Sequence, residues 1–304
     1  MSPFSPQRFA LFRIALGSYL ATHFALLVPY APELFGRTGM LPDPVLDPTR
    51  QIFPNLLDVL GSPLGTRVFT VTAAALAVAL AAGVARPLVC GLLWYAWACM
   101  LNRNLFIVNP GIAFVGWLLL ASAIVPRGEP RLPWRSAEAE WRVPPVLYVG
   151  AWVVMAGGYT LSGIDKLASP SWVDGSAFRY VLENPIARDT WLREWLLSLP
   201  AMWLRLLTWG GLAMEILFAP LCLGSRTRVL AWLGAVGMHL VLMMTAAFTD
   251  LTLGVLMIHL FTLDERWLTK EAWGSFRRPP GSPSHTRLSP ATAPDPPMLG
   301  APLL

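Results

Sequence analysis

AMWLRLLTWGGLAMEILFAPLCL, residues 201–223, decides the fold. It carries only two charged side chains, Arg205 and Glu215, and it is as long as a helix must be to cross the hydrocarbon core. Comparable apolar runs fall at 9–28, 68–85, 107–125, 146–164 and 228–248, and two shorter ones at 87–101 and 251–263. Together they predict an all-α polytopic membrane bundle of about eight transmembrane segments, two of them short. The composition agrees: 55% of the 304 residues are hydrophobic and 13% charged, against about a quarter charged in an average soluble domain. A water-soluble globule of this size would lack the polar surface to cover itself.

Loop charge sets the orientation. With eight crossings, Arg8, Arg86, Arg127, Arg131, Arg135, Arg142, Arg226 and Arg228 all fall on one side. By the positive-inside bias that side is the cytoplasm. Both termini are then cytoplasmic, and 29–67 and 165–200 are outer loops. Residues 1–274 form the membrane unit, and the proline-rich 275–304 reads as a disordered cytoplasmic tail. The first apolar run lacks a small-residue cleavage site and reads as a retained helix. The implied location is the cell inner (plasma) membrane, with membrane lipid as the first partner.

The net charge of +5 is modest and arginine-dominated, with Lys166 and Lys270 the only lysines, and it does not imply nucleic-acid binding. Cys90, Cys99 and Cys222 lie in apolar stretches without metal-ligand spacing and read as buried, reduced thiols. No metal site is expected.

Ionisable groups inside a bilayer are costly and direct attention to function. Six lie within the spans: Arg13, His23, Arg205, Glu215, His239 and His259. Arg13 and Arg205 are near helix ends and can snorkel. Glu215 is too deep for that. It reads either as a helix-locking contact or as a proton relay or ligand-positioning carboxylate. Counting depth along the spans puts it near Arg13 and His239, so the three are expected to form an intramembrane polar network.

The end of the fifth span, GGYTLSGIDKLASPSWVDG (157–175), is the sharpest feature. A helix continued to Leu167 places Tyr159, Ser162 and Lys166 on one face. Gly163 lets a helix or a flat ligand approach closely. A lysine at a wet–dry boundary can lose basicity by desolvation and then serve as a base. The competing reading is a snorkelling interfacial anchor.

The order Tyr159-x-x-Ser162-Gly163-x-x-Lys166-Leu167, then Trp172-Val173-Asp174-Gly175-Ser176-Ala177, resembles the HTTM family of vitamin K-dependent γ-carboxylase-like membrane proteins. FALFRIALG (9–17), GRTGMLPDP (36–44), LNRNLFIVNPG (101–111), Glu215 in MEILFAP, Arg228 after SRT and His239 in GMHLVL resemble it too, so that the likeness runs over about 8–270. The resemblance implies a quinol-dependent, carboxylase-like enzyme, a carbon–carbon lyase and oxidoreductase. Lys166 would be the catalytic base at the outer face, and a vitamin K-like hydroquinone the co-substrate, with O2 and CO2. Tyr159, Ser162, Gly163, Trp172 and Asn104 would line the quinol pocket. Asn104 stands where the animal enzyme carries a histidine. In place of that enzyme's propeptide-binding lumenal domain this chain has the Pro-rich 275–304. Quinol activation is therefore implied more directly than carboxylation of a small peptide substrate. A shorter SGxxKL-like element also occurs in DoxX-like and MauE-like proteins. The alternative is accordingly a non-catalytic membrane subunit serving a redox or peptide-maturation partner protein. A proton-coupled transporter ranks third.

Overall fold

A computed structural model describes residues 4–42, 52–136 and 141–268. The proposed tail at 275–304, and with it the boundary at 274, lies outside the described residues. The described chain is all-helical, and its only bridge is an isolated one between Ala187 and Ala246. Its α-helices in chain order are α1 (Pro6–Leu27), α2 (Ala31–Phe35), α3 (Leu56–Val59), α4 (Pro63–Ala81), α5 (Arg86–Arg103) and α6 (Pro110–Ile124). There follow α7 (Pro145–Lys166), α8 (Pro170–Val173), α9 (Ala177–Glu183), α10 (Trp191–Ser198), α11 (Ala201–Leu223), α12 (Ser225–Thr245) and α13 (Thr249–Thr262).

Each of the eight apolar runs is one helix. Five helical segments are long and apolar enough to cross a membrane: Pro6–Phe35, Pro63–Ala81, Pro145–Lys166, Ala201–Leu223 and Ser225–Thr245. The run at 107–125 is shorter than its hydropathy suggests. Asn109 stops it by accepting a hydrogen bond from the Gly111 N–H at 3.0 Å, and Pro110 opens the helix. The 15 residues of α6 rise about 22 Å, less than the ~30 Å of a hydrocarbon core. The same cap-plus-proline start fixes α1 (Ser5, Pro6) and α4 (Ser62, Pro63). The large apolar side chains left outside the bundle, among them Val68, Val78, Leu88, Val153, Leu217 and Leu230, form the surface expected of a protein solvated by lipid.

The bundle closes where small residues allow backbones to meet. A side chain at Gly17 of α1 would strike Ala77 O and Ala81 N of α4 at 2.8 and 2.5 Å, and one at Gly163 of α7 would strike Ile216 N of α11 at 2.7 Å. Pro220 interrupts α11 and cannot donate to the carbonyl of Ile216. The Thr160 hydroxyl of α7 lies 3.4 Å from that carbonyl and accepts the Ala219 N–H at 3.1 Å. The neighbour thus satisfies the rung that proline breaks, as hydrocarbon surroundings require.

One end of the bundle is tied by two arginines. Arg13, 1% exposed, donates to Leu80 O (2.8 Å) and Ala81 O at the end of α4, and to Arg131 O (2.6 Å) of the loop after α6. Arg86, 2% exposed, pairs with Glu129 at 2.5 Å and donates to the carbonyls of Ser122, Val125 and Pro126 around the end of α6. Arg13 therefore neither snorkels nor reaches Glu215. It adds a cation and donors at a helix C-terminus, where the dipole favours positive charge.

Candidate functional site

α7 and α11 run antiparallel, and Gly163 lets them touch beside Glu215. There Lys166 Nζ lies 2.5 Å from Glu215 Oε2 and 2.8 Å from Ser162 Oγ, and Ser162 Oγ lies 3.3 Å from the same carboxylate oxygen. The side chains of Lys166 and Glu215 keep 23% and 10% of their exposure. The ammonium also sits 4.9 Å from the centre of the Trp172 ring, within cation–π range. Lysine, hydroxyl, carboxylate and indole thus form one unit, which the face of α7 accounts for only in part.

Trp172 is held there by the turn that follows. The Asp174 carboxylate accepts from the Ser176 N–H at 2.8 Å, and hydrogen bonds from Ser176 hold its carboxyl below the usual range. Gly175 adopts φ +83°, and a side chain on it would meet Arg205 Cβ at 2.9 Å and Trp209 Cε2 at 3.0 Å. Trp209 Nε1 donates to Val173 O at 3.1 Å. Trp172-Val173-Asp174-Gly175-Ser176 therefore forms a corner that presents the indole to the lysine.

Deeper in the bundle, the Tyr159 hydroxyl hydrogen-bonds His259 Nε2 at 2.8 Å, and its ring stacks on Phe218 at 4.4 Å. His239 packs against both, with ring centroids 5.9 Å from Tyr159 and 6.4 Å from His259. His239 is 5% exposed and neither ring nitrogen has a hydrogen-bond partner. His259 Nδ1 is likewise unpartnered. Buried polar atoms are nearly always satisfied, so this pair of imidazoles calls for a water or for a polar atom of a ligand.

The expected network of Arg13, Glu215 and His239 does not assemble. Glu215 is taken by Lys166, and Arg13 is spent on carbonyls. Depth counting put Glu215 near His239, but level alone did not name its partner. The opening turns of α11 pack against α8 and α9, so Glu215, well inside its helix, is level with the last residue of α7. Asn104 is also engaged away from the lysine. It is fully buried, its Nδ2 donates to Leu34 O at 3.0 Å, and its Oδ1 accepts from the Phe106 N–H at 2.9 Å. Tyr159, Ser162, Gly163 and Trp172 do gather around Lys166 and the two histidines.

Sequence reasoning placed His259 within a span but not in the site, and it missed Thr160 and Asp250. A cavity of about 660 Å³ lies elsewhere, between α1, α5 and α13, and none of Tyr159, Ser162, Gly163, Lys166 or Trp172 lines it. Compared with models of protein families, with curated proteins and with solved structures, the chain matches none.

Proposed function

We propose that the protein is an eight-crossing membrane enzyme of the HTTM, vitamin K-dependent γ-carboxylase-like kind, in which Lys166 acts as a base at the outer face. The observation that carries this reading is the Lys166–Ser162–Glu215 unit closed over by Trp172, with the unpartnered imidazole of His239 behind it. That donor set fits a hydroxylated ring: one amine, one hydroxyl, an indole face and an orphaned imidazole. A hydroquinone held there would supply a weakly acidic hydroxyl and two reducing electrons.

The chain's own work is proton handling. Lys166 passes a proton to Glu215, which leaves a neutral amine beside a carboxylic acid. The amine then takes the hydroxyl proton, and the restored ammonium stabilises the anion left behind. The pair gains one proton overall. Ser162 holds Nζ in place, and Trp172 keeps water from the ammonium. A quinone retained through purification in mild detergent and detected by mass spectrometry is the expected result. A preparation that holds only phospholipid sinks the quinol reading.

The second reading, a non-catalytic subunit of the DoxX or MauE kind, is favoured by one fact: the lysine already has a carboxylate partner, as a helix-locking ion pair would. The test in the Discussion separates the two.

The orientation belongs to the same proposal. Both termini face the cytoplasm of a cell inner membrane, and Trp172 lies outside. Cysteine labelling within 170–195 on intact cells is expected to succeed with an impermeant reagent. Labelling only after lysis reverses the orientation and removes the outer-face site.

A further inference from the structure

α1 and α13 are joined at one end by a polar cluster that the Lys166 site does not use. The Asp250 carboxylate accepts from Tyr19 Oη at 2.7 Å, from His23 Nδ1 at 2.6 Å and from Asn109 Nδ2 at 3.4 Å. It stands in the first turn of α13, where the helix dipole favours a negative charge. Gly111 and Gly254 make the join close: a side chain on Gly111 would meet Leu251 O at 2.6 Å, and one on Gly254 would meet Gly111 O at 3.0 Å. In the neutral ring, Nδ1–H committed to the carboxylate leaves the lone pair on Nε2. No hydrogen bond reaches Nε2 from the described residues.

His23 faces the cavity of about 660 Å³. That volume lies within the ~300–1,000 Å³ of small-molecule sites. Leu26, Trp97, Leu101, Leu253 and Met257 supply its apolar walls. Ser18 and Leu26 on its rim are exposed on the outside of the bundle, so the cavity opens sideways to the surrounding membrane. Three features select the ligand. Among the described residues no lysine or arginine lines the space, which disfavours an anionic head group. Asp250 is the only carboxylate among those lining residues, and it is already bound by three donors, which disfavours a cation. An acceptor nitrogen at the end of an apolar space asks for a donor on an otherwise apolar body.

We propose that this cavity takes a neutral hydroxylated lipid, an alcohol or phenol on an apolar body, entering from the bilayer with its hydroxyl donating to His23 Nε2. Asp250 and Tyr19 act as positioning residues that hold the imidazole tautomer. The inference stands independently of the role given to Lys166, whose side chain belongs to the contact of α7 with α11.

The probe is 4-octylphenol, with octylbenzene as its twin lacking the hydroxyl and octanoate as its anionic counterpart. Binding to the full chain in detergent is read by native mass spectrometry and by thermal shift. Wild-type protein is expected to prefer the phenol over octylbenzene by about tenfold, the scale of one good hydrogen bond, and to take up no octanoate. His23→Phe should lose the preference. Ser18→Trp, which fills the space from its exposed rim, should lose both neutral probes. Lys166→Met, which disables the other candidate site, should keep the preference for the phenol. The proposal is overturned by any of six results: no phenol binding to the wild type, equal binding of phenol and octylbenzene, uptake of octanoate, preference retained in His23→Phe, neutral probes still bound by Ser18→Trp, or the preference lost in Lys166→Met. If His23→Phe does not fold, the wild-type preference and the Ser18→Trp result still decide it.

Discussion

Lys166→Arg is expected to fold as the wild type does and to lose quinol oxidation by about 10²–10⁴, the usual scale for removal of a general base. The geometry separates the two outcomes cleanly. An arginine at 166 keeps a positive charge opposite Glu215, so a helix-locking pair survives the change. Its guanidinium does not give up a proton at any working pH, so transfer to Glu215 stops. Lys166→Met should lose activity equally and should also be less stable. It leaves a carboxylate that is 10% exposed without its partner. A fully buried orphan of this kind costs about 3–5 kcal/mol. The lysine keeps 23% exposure, so a smaller loss of about 2–3 kcal/mol is expected here. Glu215→Gln combined with Lys166→Met should be less damaging than the two single changes added together, because the buried charge has gone. A small external amine should restore part of the activity of the methionine variant. Full activity in Lys166→Arg, measured as quinol consumed with and without CO2 and a glutamate-containing peptide, rejects the base assignment and leaves the subunit reading.

Arg86→Leu is the largest expected loss of stability, about 3–5 kcal/mol in reversible unfolding in mixed micelles. Arg86 binds Glu129 with two nitrogens, at 2.5 and 3.2 Å, and reaches Val125 O and Pro126 O at 2.8 and 2.7 Å. Leucine leaves the Glu129 carboxylate, 9% exposed, without its hydrogen-bonded cation, and strips the donors from the end of α6. Lysine keeps the charge but offers one nitrogen where the guanidinium offers three, so Arg86→Lys should recover less than half of the loss. Arg86→Leu with Glu129→Gln should be milder than Arg86→Leu alone. A loss below about 1 kcal/mol, the median of a surface pair, contradicts the clamp.

Hydropathy carried the helices, down to Ala201–Leu223, whose limits match the apolar run residue for residue. It overstated α6, because an Asn-Pro cap is a local signal that a smoothed apolar run passes over. The face Tyr159–Ser162–Lys166 was legible because helical spacing alone puts those residues together. Glu215 was noticed but given the wrong partner. Its true neighbour depends on how far α11 extends beyond α7, which α8 and α9 decide and one sequence does not state. Arg13 was misread for a related reason: its acceptors are backbone carbonyls, which have no letter in a sequence. The cluster at Asp250 was invisible, since Tyr19 and His23 are 231 and 227 residues from it along the chain.

That separation sets a timetable for biogenesis. At roughly 5–20 residues per second of synthesis, Lys166 waits about 2–10 s for Glu215, whereas His23 waits about 11–45 s for Asp250. The α7–α11 contact is therefore made while translation is still under way. The cavity beside α1 remains a half-built groove, open to the lipid or to an insertion factor, until α13 arrives. A chain truncated before Thr249 keeps both members of the lysine–glutamate pair yet has no floor to its second site. The age of a newly made molecule is thus written in which of its two polar joins has closed.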